Sequence, residues 1–186
     1  MKHRWWISFV FALLAVVGCS PADAPVITFE EFTLGMSIHD VDAELDNQKW
    51  RKVGAYKYAN TVRYDLQVLE PRPAHLDNIS RVHLAIVDEA LVCIEVLSSA
   101  ETFSKLKEAM KSVEGGLTLR YGDPGRRISI EDLQRSQVSG PEPVTLAVWQ
   151  VDPLRVVAIA IHSEGGQPIG FVQYAYLDKV LTNKTP

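Results

Sequence analysis

The stretch Ser80–Leu97, SRVHLAIVDEALVCIEVL, reads as a β-hairpin and sets the fold class. Val82, Leu84 and Ile86 alternate with His83 and Ala85, Asp88-Glu89-Ala90 supplies a turn, and Val92, Ile94 and Val96 return at the same spacing. A period of two describes a strand with one apolar and one polar face. If the two apolar sets share a face, Cys93 and Glu95 point the other way together with His83. Leu91-Val92-Cys93-Ile94 is apolar enough to bury a thiol, but in this register Cys93 is protected only if the second face is covered too.

Upstream, Val62, Tyr64, Leu66 and Val68 alternate with Arg63, Asp65 and Gln67. The turn Tyr58-Ala59-Asn60-Thr61 joins them to a strand over Lys52 to Tyr58, and Pro71 and Pro73 end this first hairpin. A helix is expected before it, from Ser37 to Asp46. Ser37 is an N-cap with Asp40 three residues on, Met36 and Val41 occupy the staple positions, and Ile38, Val41 and Leu45 recur at helical spacing. Downstream, Phe103, Leu106, Met110, Val113, Leu117 and Tyr121 form an apolar stripe within a helix from Ser99 to Tyr121. Gly115-Gly116 predicts a kink or break in it, at about 1 kcal/mol per glycine, and Gly122-Asp123-Pro124-Gly125 stops it. Further strands are expected at Arg127 to Ile130, Val144 to Val151, Leu154 to Ile161 and Ile169 to Leu177, the last following the turn Ser163 to Pro168. Leu154 to Ile161 is apolar on both sides apart from Arg155, so it needs cover on both. The expected architecture is α+β, with antiparallel sheet and helices packed on one face. It divides into two helix-plus-meander halves, 29–98 and 99–180, followed by a tail at 181–186.

The N-terminus, MKHRWWISFVFALLAVVGC from Met1 to Cys19, sets the address. Lys2 and Arg4 are followed by an apolar run from Trp5 to Val17, which as a helix covers about 20 Å against a hydrocarbon core of about 30 Å. A basic end, a short apolar segment and small residues at the cut are the pattern of a secretion signal. Val16-Val17-Gly18-Cys19 resembles a bacterial lipobox. That resemblance implies a signal peptide over 1–18, cleavage between Gly18 and Cys19, and acylation of Cys19. Ser20 follows the cysteine where aspartate would retain the chain in the inner membrane, so similarity to Gram-negative lipoproteins implies the periplasmic face of the outer membrane. Residues 19–28 then form a short lipidated tether, rich in proline and small residues. An ordinary cleaved signal peptide and an uncleaved anchor helix are the alternatives.

Removing 18 of 186 residues leaves 168, enough for one sizeable core or two small halves sharing one. Taking Lys2 and Arg4 from the 19 basic residues leaves 17 against 23 acidic ones, a net charge of −6. A mildly acidic body without a basic stripe argues against nucleic acid as a partner. With Cys19 acylated, Cys93 has no partner for an internal disulfide. It is expected to be a buried thiol, and no neighbouring motif supplies a base to activate it.

Phe32-Thr33-Leu34-Gly35-Met36-Ser37, followed by Val41 and Leu45, and the turn Tyr121-Gly122-Asp123-Pro124 carry a second resemblance. They are similar to the helix-opening turns of small outer-membrane barrel-assembly lipoproteins and of tandem helix-plus-sheet modules of the β-lactamase-inhibitor-protein kind. The likeness covers roughly twenty residues plus the lipobox, and this chain has two modules where the assembly lipoproteins have one. It implies a periplasmic binding or scaffolding module with no active site.

Residues that carry chemistry are scattered. His39, His75, His83 and His162 show no paired spacing of the kind metal sites use. No serine stands in a Gly-x-Ser-x-Gly elbow, and no helix follows Gly165-Gly166 as a phosphate loop requires. Asp40, Asp42, Glu44 and Asp46 read as a solvated helix face. Arg126 and Arg127 are a candidate contact for an anionic partner. The expectation is a lipid-anchored interaction or scaffolding module without cofactor or catalysis, whose partners are the membrane, through Cys19, and an envelope protein. The alternative is a small-ligand-binding or hydrolase-like domain with a site near His83, Cys93 and Glu95.

Overall fold

A computed structural model describes residues 26–46, 49–69, 79–138 and 142–176. Chain order begins with a small hairpin, β1 (Thr28–Phe29) and β2 (Phe32–Thr33), then α1 (Ile38–Leu45). Four strands follow: β3 (Trp50–Tyr58), β4 (Thr61–Val68), β5 (Ile79–Val87) and β6 (Ala90–Ser99). The long helix α2 (Phe103–Tyr121) leads to β7 (Arg126–Arg127), β8 (Val144–Gln150), β9 (Arg155–Glu164) and β10 (Gln167–Tyr176). Strands β3 to β10 make an eight-stranded antiparallel sheet in the order β3-β4-β5-β6-β10-β9-β8-β7. With two helices beside it, the fold is α+β.

The expected helix start at Ser37 is present. Its hydroxyl accepts from the Asp40 backbone N–H at 3.2 Å and donates to the Asp40 carboxylate at 2.7 Å. In α2 the N-cap is Thr102, and Gly122 closes the helix at φ +81°. The break expected at Gly115-Gly116 does not occur, and α2 runs on through the pair. Leu106 and Met110 on one side of the pair and Leu117 on the other are buried. At about 1.5–3 kcal/mol for each large apolar side chain, that burial outweighs what two glycines cost.

Several expected boundaries and one register shift. Ile27 is fully buried and Thr28 is already in β1, so the body starts within the segment read as tether. The strand expected at Arg127 to Ile130 shortens to β7, because Ile130 turns into the core. A bulge at Ala85/Ile86 sets Leu91, not Val92, opposite Ile86. Gly165 and Gly166, at φ +58° and +82°, make the tight turn between β9 and β10. Every residue from Val156 to Ile161 is buried, so β9 has the two-sided cover its sequence demands.

Candidate functional site

Register decides which polar side chains meet. Asp65 of β4 stands opposite His83 of β5, His83 opposite Glu95 of β6, and Glu95 opposite Gln173 of β10. These four form a row across one face of the sheet, with Cys93 and Arg63 in the neighbouring row. Arg63 Nη2 donates to His83 Nδ1 at 2.6 Å, and its Nε donates to Asp65 Oδ1 at 3.2 Å. An arginine has no lone pair to offer, so this contact puts the imidazole proton on Nε2, which lies 3.6 Å from Asp65 Oδ1. Nδ1 is also 3.5 Å from Glu95 Oε2, but it cannot accept from Arg63 and donate to Glu95 at once. The shorter contact wins. Gln173 Nε2 donates to Glu95 Oε1 at 2.9 Å.

Burial on its own would raise the Glu95 carboxyl. The Arg63 charge and the Gln173 amide pull it the other way, and the carboxyl is held below the usual glutamate value. A depressed carboxyl stabilises the fold above the unfolded-state value of about 4.3 and loses that contribution as pH falls through the folded-state value. Glu95→Gln is expected to cost about 2 kcal/mol at pH 7. The gap in urea midpoint should begin to close as pH falls below about 4.3 and vanish as pH drops through the folded-state value. A gap that stays constant from pH 7 to pH 3 contradicts this role.

The structure brings His83, Cys93 and Glu95 onto one face, as their alternation requires. It does not make Cys93 a nucleophile. The thiol is 7% exposed, and burial together with the Glu95 charge pushes its ionisation far above the ordinary cysteine value. In a Cys19→Ser chain, Cys93 is expected to ignore iodoacetamide until denaturant unfolds the protein. Stoichiometric labelling under native conditions would refute that.

Arg127 is on β7, opposite Ala147, and its Nε stands 2.6 Å from Glu114 Oε1 of α2 at an angle too poor for a hydrogen bond. Glu114 is buried while Arg127 is mostly exposed. This ion pair lines a cleft of about 510 Å³ with Lys111, Ser129, Ile130 and Glu131, and Lys111 pairs with Glu131. The arginine marked for an anionic partner therefore already has a carboxylate against it. The pair is lopsided. Losing the exposed arginine strands a buried charge, whereas losing Glu114 leaves a solvated one. Arg127→Ala should cost about 1–2 kcal/mol and Glu114→Gln less than about 1 kcal/mol in urea unfolding; the reverse order would show that the pair is misread. Arg126 stands opposite Val148, and its side chain lies outside the described residues.

Gly18, Cys19 and His75 also lie outside the described residues. His39 is exposed on α1, and His162 packs edge-on against Phe171 with ring centroids 5.6 Å apart. Among the described residues, no three His, Cys, Asp or Glu side chains converge as metal ligands would.

The chain matches no family model, no curated protein and no solved structure. Its site has to be read from its own residues. Asp65 and Gln173 in the row, and Arg63 beside it, carry no local sequence signal as partners of His83 and Glu95, because their meeting depends on the pairing of separate strands. Glu114 carried a readable signal: four residues after Met110 and three before Leu117, it is a charge on the apolar stripe of α2.

Proposed function

We propose that this chain is a lipid-anchored module of a Gram-negative envelope. Cys19 holds it to the periplasmic face of the outer membrane, and it binds or scaffolds an envelope protein without catalysis. The observation that carries this reading is the spacing between Cys19 and Ile27. Eight residues after a lipobox cysteine the chain has already entered a core, which suits a body kept close to its anchor. The absence of catalysis is supported by a buried, un-ionised Cys93 and by a His83 whose Nδ1, the nitrogen a general base would use, is occupied by Arg63.

Within the same reading, the body is two helix-plus-meander halves, α1 with β3 to β6 and α2 with β7 to β10, with both helices on one face. Strand order supports the division, since four consecutive strands lie on each side of the β6–β10 seam. Side-chain contacts support the shared face. Asp42 of α1 meets Lys52 and Tyr64, and Met110 of α2 meets Gly170. Register runs from Tyr64 through Leu84 and Ile94 to Tyr174, on the same side of β10 as Gly170.

The test is metabolic labelling with a palmitate analogue, followed by membrane fractionation. Label should enter the wild type, disappear in Cys19→Ala, and travel with the outer membrane. A freely soluble mature chain with an unmodified amino end would overturn the reading. The rival, a ligand or hydrolase-like site at His83, Cys93 and Glu95, requires that Cys93→Ala and His83→Ala abolish an activity or a ligand-dependent melting shift.

A further inference from the structure

One end of the sheet gathers exposed apolar side chains. The β3–β4 turn lies there beside the β5–β6 turn, with the Asp88 backbone N–H donating to the Asn60 carbonyl at 3.2 Å. β10 runs antiparallel to β6, so it finishes at that end, and β9 begins there with Arg155 opposite Tyr176. The β8–β9 turn, which carries Leu154, therefore falls at the same end. So does the last turn of α2, because Gly122, just beyond it, accepts from the Trp149 indole near the finish of β8. Tyr58, Leu154 and Leu119 are 84%, 68% and 92% exposed, and each belongs to one of these segments.

The chain also enters at this end. The Ile27 carbonyl accepts from Leu34, and the next residue, Gly35, donates to Leu91, the second residue of β6. Val26 precedes them and is 58% exposed. From Cys19 to Val26 the chain spans at most about 25 Å. The ten-residue β9 separates the two ends of the sheet by about 33 Å. A body held at Cys19 is therefore confined with its entry end towards the bilayer.

We infer that the rim formed by Val26, Tyr58, Leu119 and Leu154 is a membrane-seating surface that rests its apolar tips in the headgroup region of a phospholipid bilayer. This inference depends on Cys19 being the anchor. Tyr58 and Leu154 stand five strand spacings apart, about 24 Å, so the rim makes a broad footing and not a single point. Tyrosine is well suited to an interface, with an apolar ring and a hydroxyl that stays in water. Asp88 and Glu89 lie between the apolar tips, and their charge complements ammonium headgroups, which favours phosphatidylethanolamine over a wholly anionic surface.

The experiment uses the full acylated chain in phosphatidylethanolamine vesicles whose acyl chains carry a quencher. A fluorophore is attached at Tyr58→Cys, Leu119→Cys or Leu154→Cys, and as a control at Gln167→Cys, the exposed first residue of β10 at the far end. Each variant changes an exposed residue, and an unchanged urea midpoint verifies that it folds. Vesicle flotation reports the anchor, and quenching reports the rim. The expected result is flotation of all four proteins with several-fold stronger quenching at 58, 119 and 154 than at 167. Flotation with equal quenching, or with stronger quenching at 167, overturns the rim and leaves the anchor standing. Failure of the acylated chain to float overturns the anchor and the rim together.

Discussion

Trp50→Ala is expected to remove about 4 kcal/mol of stability, the cost of truncating a large buried aromatic. Trp50 is 3% exposed at the start of β3 and is what the N-terminal hairpin closes upon. Its ring lies 6.2 Å from that of Phe29 and 5.7 Å from that of Phe32, centroid to centroid, and Phe32 is fully buried. The indole N–H donates to the Glu31 carboxylate, which fixes the ring's orientation. A hairpin with two residues per strand does not persist in water by itself, so its order is borrowed from this contact. The expected signature is therefore local as well as global. Urea unfolding shifts, and the Leu34 and Gly35 amides lose hydrogen-exchange protection before those of β5 and β6 do. Trp50→Phe should recover most of the packing but remove the indole donor from Glu31 Oε1, leaving Lys49 Nζ on Oε2 at 3.2 Å. A loss below about 1 kcal/mol for Trp50→Ala would show that the hairpin is held elsewhere.

Gly170→Val is the second large effect, about 3 kcal/mol, from overpacking and not from a cavity. A Cβ at Gly170 would stand 2.5 Å from the sulfur of Met110 and 2.9 Å from its methyl carbon. Met110 is fully buried, so its side chain has nowhere free to swing. The site is where α2 comes down onto β10, and β10 is the strand that joins β6 to β9. Because the clash is with one side chain, Met110→Ala in the same chain should restore part of the loss. The sum of the two single costs should exceed the cost of the double variant by about 1 kcal/mol or more. Simple additivity would mean that the valine strains the backbone instead.

Local order was legible wherever one residue's neighbours decide it. The Ser37 cap, the Gly122 stop and the alternation through β4, β5 and β6 are all written within a few positions. What stayed hidden depends on distance along the chain. Glu95 and Gln173 are 78 residues apart, and nothing near either announces that they bond. Burial of Cys93 can be argued either way from the sequence, and the folded chain settles it at 7% exposure. Continuity of α2 through Gly115-Gly116 could not be read from propensity, because long-range packing around Leu106, Met110 and Leu117 decides it. The polar row around His83 is legible in part: each hairpin places its own members, and only the pairing of strands assembles them.

The separation of the β1–β2 hairpin from the eight-stranded sheet has a mechanical consequence. Load applied through residue 26 meets the Ile27–Leu34 hydrogen bond first, then the Thr28–Thr33 and Phe29–Phe32 pairs, and parts them one after another, as a zip opens. The ladders of the main sheet lie behind them, beyond the point where Leu91 takes hold of Gly35 and Met36. Opening the hairpin frees about ten residues, a leash longer by about 35 Å. The protein can thus yield to a tug at its entry end and recoil, while the eight strands behind remain intact.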